Sequence, residues 1–124
     1  MQDLCALRSL VTDLQKAEDD FSKRIGLTLC QASMLCAISH GYSELKQLQK
    51  ELGLTPSRVT RVADSLEQMG LIERNKATGD RRTVGVALTE EGRKLIAQSG
   101  NCAILLPKDI EDLLLSRAKE KTWA

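Results

Sequence analysis

The sequence GLTPSRVTRVADSLEQMG, residues 53–70, contains the strongest local signals for the fold of this chain. Thr55 is a favourable N-cap residue, and Pro56 suits the first position of a helix, where its missing N–H costs no hydrogen bond. We expect a helix from this point to Gly70, with one buried apolar stripe. The members of the stripe are Val59, Val62, Ala63, Leu66 and Met69.

The faces of this helix outside the stripe are polar and basic. From Thr55 to Arg61 there are two arginines, two threonines and one serine, and no acidic residue that would repel a nucleic-acid backbone. Such side chains can read base edges in the DNA major groove and contact phosphates. We therefore interpret the segment as a DNA-recognition helix. The candidate contacts are Thr55, Ser57, Arg58, Thr60 and Arg61.

The sequence before this segment predicts three further helices. Apolar residues recur every three or four positions over residues 4–25, which indicates a long amphipathic helix ended by Gly26. A stripe of this length suits packing within one domain or pairing with a helix of a partner chain, and both interpretations stand. A nearly apolar helix then covers residues 29–38, and Ser43 caps a short helix that Gly53 ends.

The pattern changes from helix to strand after the recognition helix. Residues 71–74 and 82–88 have the composition of short strands, and the segment between them is rich in turn formers. This arrangement predicts a β-hairpin with a long polar tip. Thr89 then caps a helix that is interrupted early, at residues 99–101, and Pro107 opens a last amphipathic helix.

Basic residues flank the tip of the predicted hairpin. They are Lys76, Arg81 and Arg82. Because arginine is favoured in the DNA minor groove, we expect the tip to enter that groove. Asp80 dilutes the positive charge, and we expect it to orient Arg81 or Arg82 by an ion pair.

A short helix, a tight turn with a glycine, a recognition helix and a hairpin, in this order, predict a winged helix-turn-helix, a mainly helical α+β fold. The residues also resemble the MarR family of bacterial transcriptional regulators. The resemblance includes residues 53–74, the wing sequence DRRTV at residues 80–84 and LTEEG at residues 88–92. It spans residues 27–95.

The resemblance implies a homodimeric repressor or activator that binds a roughly palindromic operator in double-stranded DNA. Two recognition helices would occupy successive major grooves, two wings would lie at the flanking minor grooves, and a small-molecule effector would alter the dimer geometry. The recognition-helix contact positions fall on Ser57, Arg58, Thr60 and Arg61. The wing positions fall on Asp80, Arg81 and Arg82.

The expected organisation is one winged-helix domain at residues 1–124, with a DNA-binding core at residues 27–95. Residues 1–25 and 96–124 are expected to form dimerisation helices. The long helix that the family has behind the wing is shortened here at Ser99, which puts the usual dimer arrangement in question.

Composition excludes several classes of protein. Lys and Arg number 18 against 17 Asp and Glu, a formal net charge of +1, so a uniformly basic nucleic-acid coat is excluded while a local patch is not. Aromatic residues make up 2%, too few for a platform that stacks single-stranded bases. No apolar run approaches the ~20 residues of a membrane span, and no signal peptide is evident, so we expect a cytoplasmic protein.

The four cysteines have irregular spacings, and we expect them to be reduced, buried thiols. Cys5 is placed similarly to the reactive cysteine of the organic-hydroperoxide-sensing branch of the family. We expect an inert, buried thiol here, and oxidant sensing is the alternative. Cys36 and His40 lie four apart, a spacing that allows two metal ligands but not a complete site. We expect no metal or cofactor.

No catalytic constellation stands out, so we do not expect an enzyme. The alternative function is a winged-helix protein-interaction module, or an anti-regulator, that does not bind an operator. The low net charge and the shortened C-terminal helix favour this alternative to some degree.

Overall fold

The computed structural model describes residues 3–76, 84–98 and 106–120. These ranges contain six helices and two strands, which confirms the mainly helical winged helix-turn-helix. In chain order they are α1 (Leu4–Ile25), α2 (Leu29–Ser39), α3 (Leu45–Leu52), α4 (Pro56–Gln68), β1 (Ile72–Lys76), β2 (Val84–Leu88), α5 (Glu90–Gln98) and α6 (Lys108–Glu120).

The chain divides into two compact units. One is made of Met1–Thr28 and Cys102–Ala124 and contains α1 and α6. The other is Leu29–Asn101 and contains α2 to α5 with both strands. The candidate recognition helix and the hairpin therefore belong to the same unit.

The unit with α1 and α6 leaves much apolar surface exposed. Helix α1 ends where Gly26 adopts a left-handed conformation (φ 81°) and donates its N–H to the Ser22 carbonyl, as the sequence predicts. The exposed leucines are Leu4, Leu7, Leu10 and Leu14 on α1, and Leu113, Leu114 and Leu115 on α6. None of the described helices is long and apolar enough to cross a membrane.

Helix α2 is the centre of the second unit. It packs against α3, α4, α5 and β2, which explains why its sequence has almost no polar face. The largest fully buried side chains are all aliphatic or thioether groups, as the scarcity of aromatic residues requires: Met34, Leu35, Leu48, Leu66 and Ile72. This core holds α4 by its buried side.

The hairpin is a two-stranded antiparallel sheet. Its register runs from Ile72 opposite Leu88 to Lys76 opposite Val84. The Val86 N–H also donates to the Ser43 carbonyl at 2.8 Å, in line with the bridge between Glu44 and Gly85. The hairpin is thereby attached to the segment that precedes α3.

That attachment corrects one prediction. Ser43 does not cap α3. It lies one residue before the N-cap position, and its carbonyl accepts a hydrogen bond from β2. The N-cap is Glu44, which makes no side-chain capping hydrogen bond. The Ser43 N–H instead donates to Gln47 Oε1 at 3.1 Å.

The first turn of α5 is docked on the turn between α4 and β1. Thr89 Oγ1 accepts from the Gly92 N–H at 3.1 Å and donates to the Gly70 carbonyl at 2.6 Å, which confirms Thr89 as the cap. The Thr89 N–H donates to the Leu71 carbonyl at 3.1 Å. A Cβ atom on Gly92 would lie only 2.2 Å from the Leu71 carbonyl oxygen, so only glycine permits this approach.

Candidate nucleic-acid interface

Helix α4 begins as its sequence predicts. Thr55 has an extended backbone and its Oγ1 accepts from the Arg58 N–H at 3.2 Å, with Pro56 at the start of the helix. This bond satisfies one of the N–H groups that a helix start leaves without a partner. The hydroxyl of Thr55 is therefore used as the N-cap of α4.

The apolar side of α4 is buried as expected at three positions and not at the other two. Val59, Ala63 and Leu66 are buried, and Val62 is half-buried. Met69 is 48% exposed, contrary to prediction, because it is the C-cap residue and lies beyond the last turn that packs on the core.

The opposite side of α4 presents the candidate DNA contacts to solvent. The exposed residues are Ser57, Arg58, Thr60 and Arg61. Arg58 and Arg61 are three apart and so lie on one face, one turn from each other. Within the described residues, neither arginine forms an ion pair, so both guanidinium groups are available to an anionic partner.

The two hydroxyl groups of this face, unlike the arginines, make hydrogen bonds within the start of the helix. Thr60 Oγ1 donates to the Pro56 carbonyl at 3.0 Å, and Ser57 Oγ lies 3.3 Å from Thr55 Oγ1. Both hydroxyls are thus engaged within the helix start. The arginines are the groups with unused donors.

The other end of α4 carries an ion-pair network that the sequence analysis missed. Arg74 in β1 directs Nη2 to Asp64 Oδ1 and, at 2.9 Å, to Glu67 Oε1. The Arg74 backbone N–H donates to Glu67 Oε2 at 3.2 Å. The side-chain and backbone hydrogen bonds from Arg74 lower the pKa of Glu67 below its ordinary value.

A cleft of about 410 Å³ lies between α3, α4 and the hairpin. Its lining combines one candidate contact with the ion-pair network: Leu45, Thr60, Glu67, Arg74, Asn75 and Val84. The candidate recognition helix and the hairpin thus form the two sides of one open depression.

The predicted wing contacts fall largely outside the described residues. Asp80, Arg81 and Arg82 belong to the segment between β1 and β2 that the structure does not describe. Lys76 ends β1, but its side chain is not described either. Their roles stay predictions from the sequence.

The cysteines are less buried than expected. Cys5 is exposed, and Cys30 and Cys36 are of intermediate exposure, while Cys102 lies outside the described residues. The expectation of buried thiols is wrong for Cys5 because the first turns of α1, from residue 3 to residue 10, are exposed. Oxidant sensing by Cys5 stays an alternative from the sequence.

Cys36 and His40, whose spacing would allow two metal ligands, are close in space but do not make a complete site. Cys36 Sγ lies 3.7 Å from His40 Nδ1. Desolvation raises the pKa of the Cys36 thiol, which disfavours the thiolate that metals bind. Over residues 3–76, 84–98 and 106–120, no group of three or more His, Cys, Asp or Glu could hold a metal ion.

Comparison with known proteins finds relatives that match the part of the chain that contains α4 and the start of the hairpin. Residues 27–84 match the family model of the MarR family. The HTH-type transcriptional repressor MdtR of Bacillus subtilis (strain 168) is 33% identical over 88 residues, which are 70% of this chain and 57% of that protein. The chain spans about half the length of the curated relatives it matches.

Solved structures share the fold over almost the whole chain. A MepR-like protein complexed with pseudoligands has a TM-score of 0.75 and 25% identity, over 99% of this chain and 95% of that one. A mutant MarR from E. coli complexed with operator DNA has a TM-score of 0.73 and 23% identity, over 96% and 94% of the two chains. The second likeness shows the fold alone.

Proposed function

This chain belongs to the MarR family, and on that premise we propose that it is a transcriptional regulator that binds double-stranded DNA through α4 and the β-hairpin. The observation that carries the proposal is the exposed face of α4, where Arg58 and Arg61 form no ion pair with another described residue. Such arginines can donate to guanine O6 and N7 in the major groove or bind phosphates.

The N-terminal half of α4 is the part that would enter the groove. Its buried side faces the core of the unit, since α4 packs against α2 and α3. Its opposite side is open to solvent over residues 55–58 and 60–61. The positive end of the helix dipole adds to the attraction for phosphate. We assign base reading to Arg58 and Arg61, with Thr55, Ser57 and Thr60 as nearby contacts.

The hairpin is the second part of the proposed interface. Lys76, Arg81 and Arg82 would reach the flanking minor groove, with Asp80 orienting an arginine. The support for this assignment is their sequence position at the end of β1 and just before β2. The attachment of the hairpin to the end of α4 places the two parts in one unit.

Binding by two copies is the remaining part of the proposal. A dimer would present two α4 helices to a roughly palindromic operator with half-sites about 34 Å apart. Helices α1 and α6, within residues 1–25 and 96–124, would form the dimer interface, where a small-molecule effector would act. Support comes from the exposed leucines of these helices, which a second chain would cover.

The proposal extends to the direction of regulation and to the compartment. We propose repression, since the relative MdtR is named a repressor. As a bacterial-type DNA-binding regulator the protein would act in the cytoplasm, and DNA binding rather than catalysis would be its activity.

Selection of bound duplexes from a random DNA pool by the full chain tests the proposal. A palindromic consensus is the expected result, and it would support DNA binding and two-fold symmetry together. Arg61→Ala and Arg82→Ala should each weaken binding to the selected duplex. No enrichment, or binding that ignores both substitutions, would overturn the proposal in favour of a protein-interaction module.

A further inference from the structure

Arg74 joins the recognition helix to the hairpin. It is the middle residue of β1, and its side chain is 24% exposed. The guanidinium group bridges Asp64 and Glu67, which lie on successive turns of α4. The partners are seven and ten positions away in the sequence, so the network spans the turn after α4.

Glu67 holds both the side chain and the backbone of Arg74. One carboxylate oxygen accepts from Nη2 at 2.9 Å and the other from the backbone N–H at 3.2 Å. Two bonds from one carboxylate fix the position of the strand along α4 as well as the direction of the guanidinium. Asp64 adds a second direction one turn earlier.

The rest of β1 offers little other hold on α4. Ile72 is buried at the start of the strand, whereas Glu73 and Asn75 are exposed. In the portion of β1 whose side chains are described, Arg74 is therefore the residue that ties the outer part of the strand to the helix. Because β1 and β2 form one ladder and β2 is itself attached to the Ser43 carbonyl, Arg74 adds the direct side-chain link from the hairpin to α4.

We propose that Arg74 is a positioning residue for DNA recognition: through Glu67 and Asp64 it fixes the hairpin relative to α4, so that the helix and the wing engage adjacent grooves together. The inference rests on the proposed function and deepens it. We assign Arg74 no DNA contact of its own, because its Nη2 is directed to Asp64 and Glu67 rather than to solvent.

The test compares Arg74→Gln and Arg74→Lys with the unaltered chain on the duplex selected from the random pool. Two footprints are read at saturating protein: hydroxyl-radical cleavage for the minor groove and guanine N7 methylation for the major groove. Arg74→Gln should lose the flanking minor-groove protection, keep the central major-groove protection and bind roughly tenfold more weakly. Arg74→Lys should show a smaller loss, because lysine keeps the charge but lacks the planar fork.

Lys94→Gln is the matched control, because it removes one positive charge from an exposed pair with Glu90 on α5. Its two footprints and its affinity should equal those of the unaltered chain. Circular dichroism establishes that each variant is folded; if Arg74→Gln is not, the folded Arg74→Lys variant decides the question by its minor-groove footprint.

The outcomes separate this inference from the proposed function. If the unaltered chain enriches no DNA, the proposed function fails and the inference with it. If the chain binds DNA but the Arg74 variants keep full minor-groove protection, or lose both protections in proportion, the positioning role is wrong while DNA binding stands.

Discussion

The two halves of α4 carry two charges each, of opposite sign, and the fold uses them differently. In the open half, residues 55–61, Arg58 and Arg61 are exposed and form no ion pair with any described residue. In the anchored half, residues 62–68, Asp64 and Glu67 are paired with Arg74. A helix with no net charge thus presents cations at one end and neutralised acids at the other.

This difference explains how a chain with a formal net charge of +1 can have a positive face of the kind that the proposed function requires. Within the described residues, the fold neutralises Asp64 and Glu67 by ion pairs with Arg74. It leaves the basic side chains of Arg58 and Arg61 without an ion-pair partner there. We expect binding to arbitrary DNA to be modest and strongly dependent on salt, because few phosphates would be neutralised per copy.

Arg61→Ala should give the largest change in function and almost none in stability. Loss of a base-reading arginine costs about 1–3 kcal/mol of binding free energy, and an exposed side chain contributes less than about 0.5 kcal/mol to folding. Titration of the selected duplex and urea unfolding measure the two. Arg93→Ala, at another exposed arginine on α5, is the control. Equal losses of affinity for the two variants would contradict the role of the open half.

Gly92→Ala should damage the turn that follows the anchored half, because the added Cβ atom would crowd the Leu71 carbonyl. We expect a net loss of about 2 kcal/mol in the free energy of unfolding, since overpacking outweighs the gain that alanine ordinarily brings to a helix. Urea unfolding at neutral pH measures it. Lys94→Ala, in the same helix but exposed, should stay within about 0.5 kcal/mol of the unaltered chain. A Gly92→Ala variant as stable as the parent would show that this approach is looser than the structure indicates.

Thr55→Ala should cost about 1 kcal/mol of stability, because it removes the acceptor for the Arg58 N–H at the start of the open half. Thr55→Ser keeps a capping oxygen and should retain most of the stability. Thermal unfolding followed by circular dichroism distinguishes the two. Equal loss in both variants would point to the threonine methyl group rather than the cap.

Acid should weaken the anchored half through Glu67, with a small effect. Hydrogen bonds from Arg74 lower the pKa of the folded carboxyl below its ordinary value of 4.5, so the unfolded state binds the proton first. The contribution of Glu67 is therefore complete above about pH 4.5 and is lost as the pH falls through the lower folded pKa. Glu67→Gln should flatten that part of the stability profile; an unchanged slope between pH 5 and pH 3 would count against the pairing.

Much of the fold could be predicted because its signals are local. Thr55, Pro56 and Thr89 act within a few residues of their position, and the sequence predicts both helix starts that they define. Gly26 likewise ends α1 as expected. Errors arose where a distant partner decided the outcome. Ser43 is used by β2, some forty residues later, and not by the helix beside it.

In the candidate site, too, the sequence predicts the features that depend on neighbouring residues and misses those that depend on a distant partner. The exposure of Arg58 and Arg61 follows from helical periodicity around Val59 and Ala63. The pairing of Arg74 does not, since it needs the chain to reverse after Gly70 and to bring β1 back along α4. The sequence does contain a signal for this pairing: Glu67 near the end of the helix, Gly70 in the turn, and Arg74 at the centre of the next strand.

The hydrogen bond from Thr89 to Gly70 has a consequence for how the wing can vary. It joins residues 19 positions apart, one just before β1 and one just after β2, and so fixes the two ends of the hairpin to each other. Insertions between β1 and β2 therefore lengthen a loop whose ends are already fixed, and doubling such a loop costs only about 0.6 kcal/mol. Under the proposed function, the wing can then change in length and sequence, and so in the DNA it would prefer, while α4 and its support remain as they are.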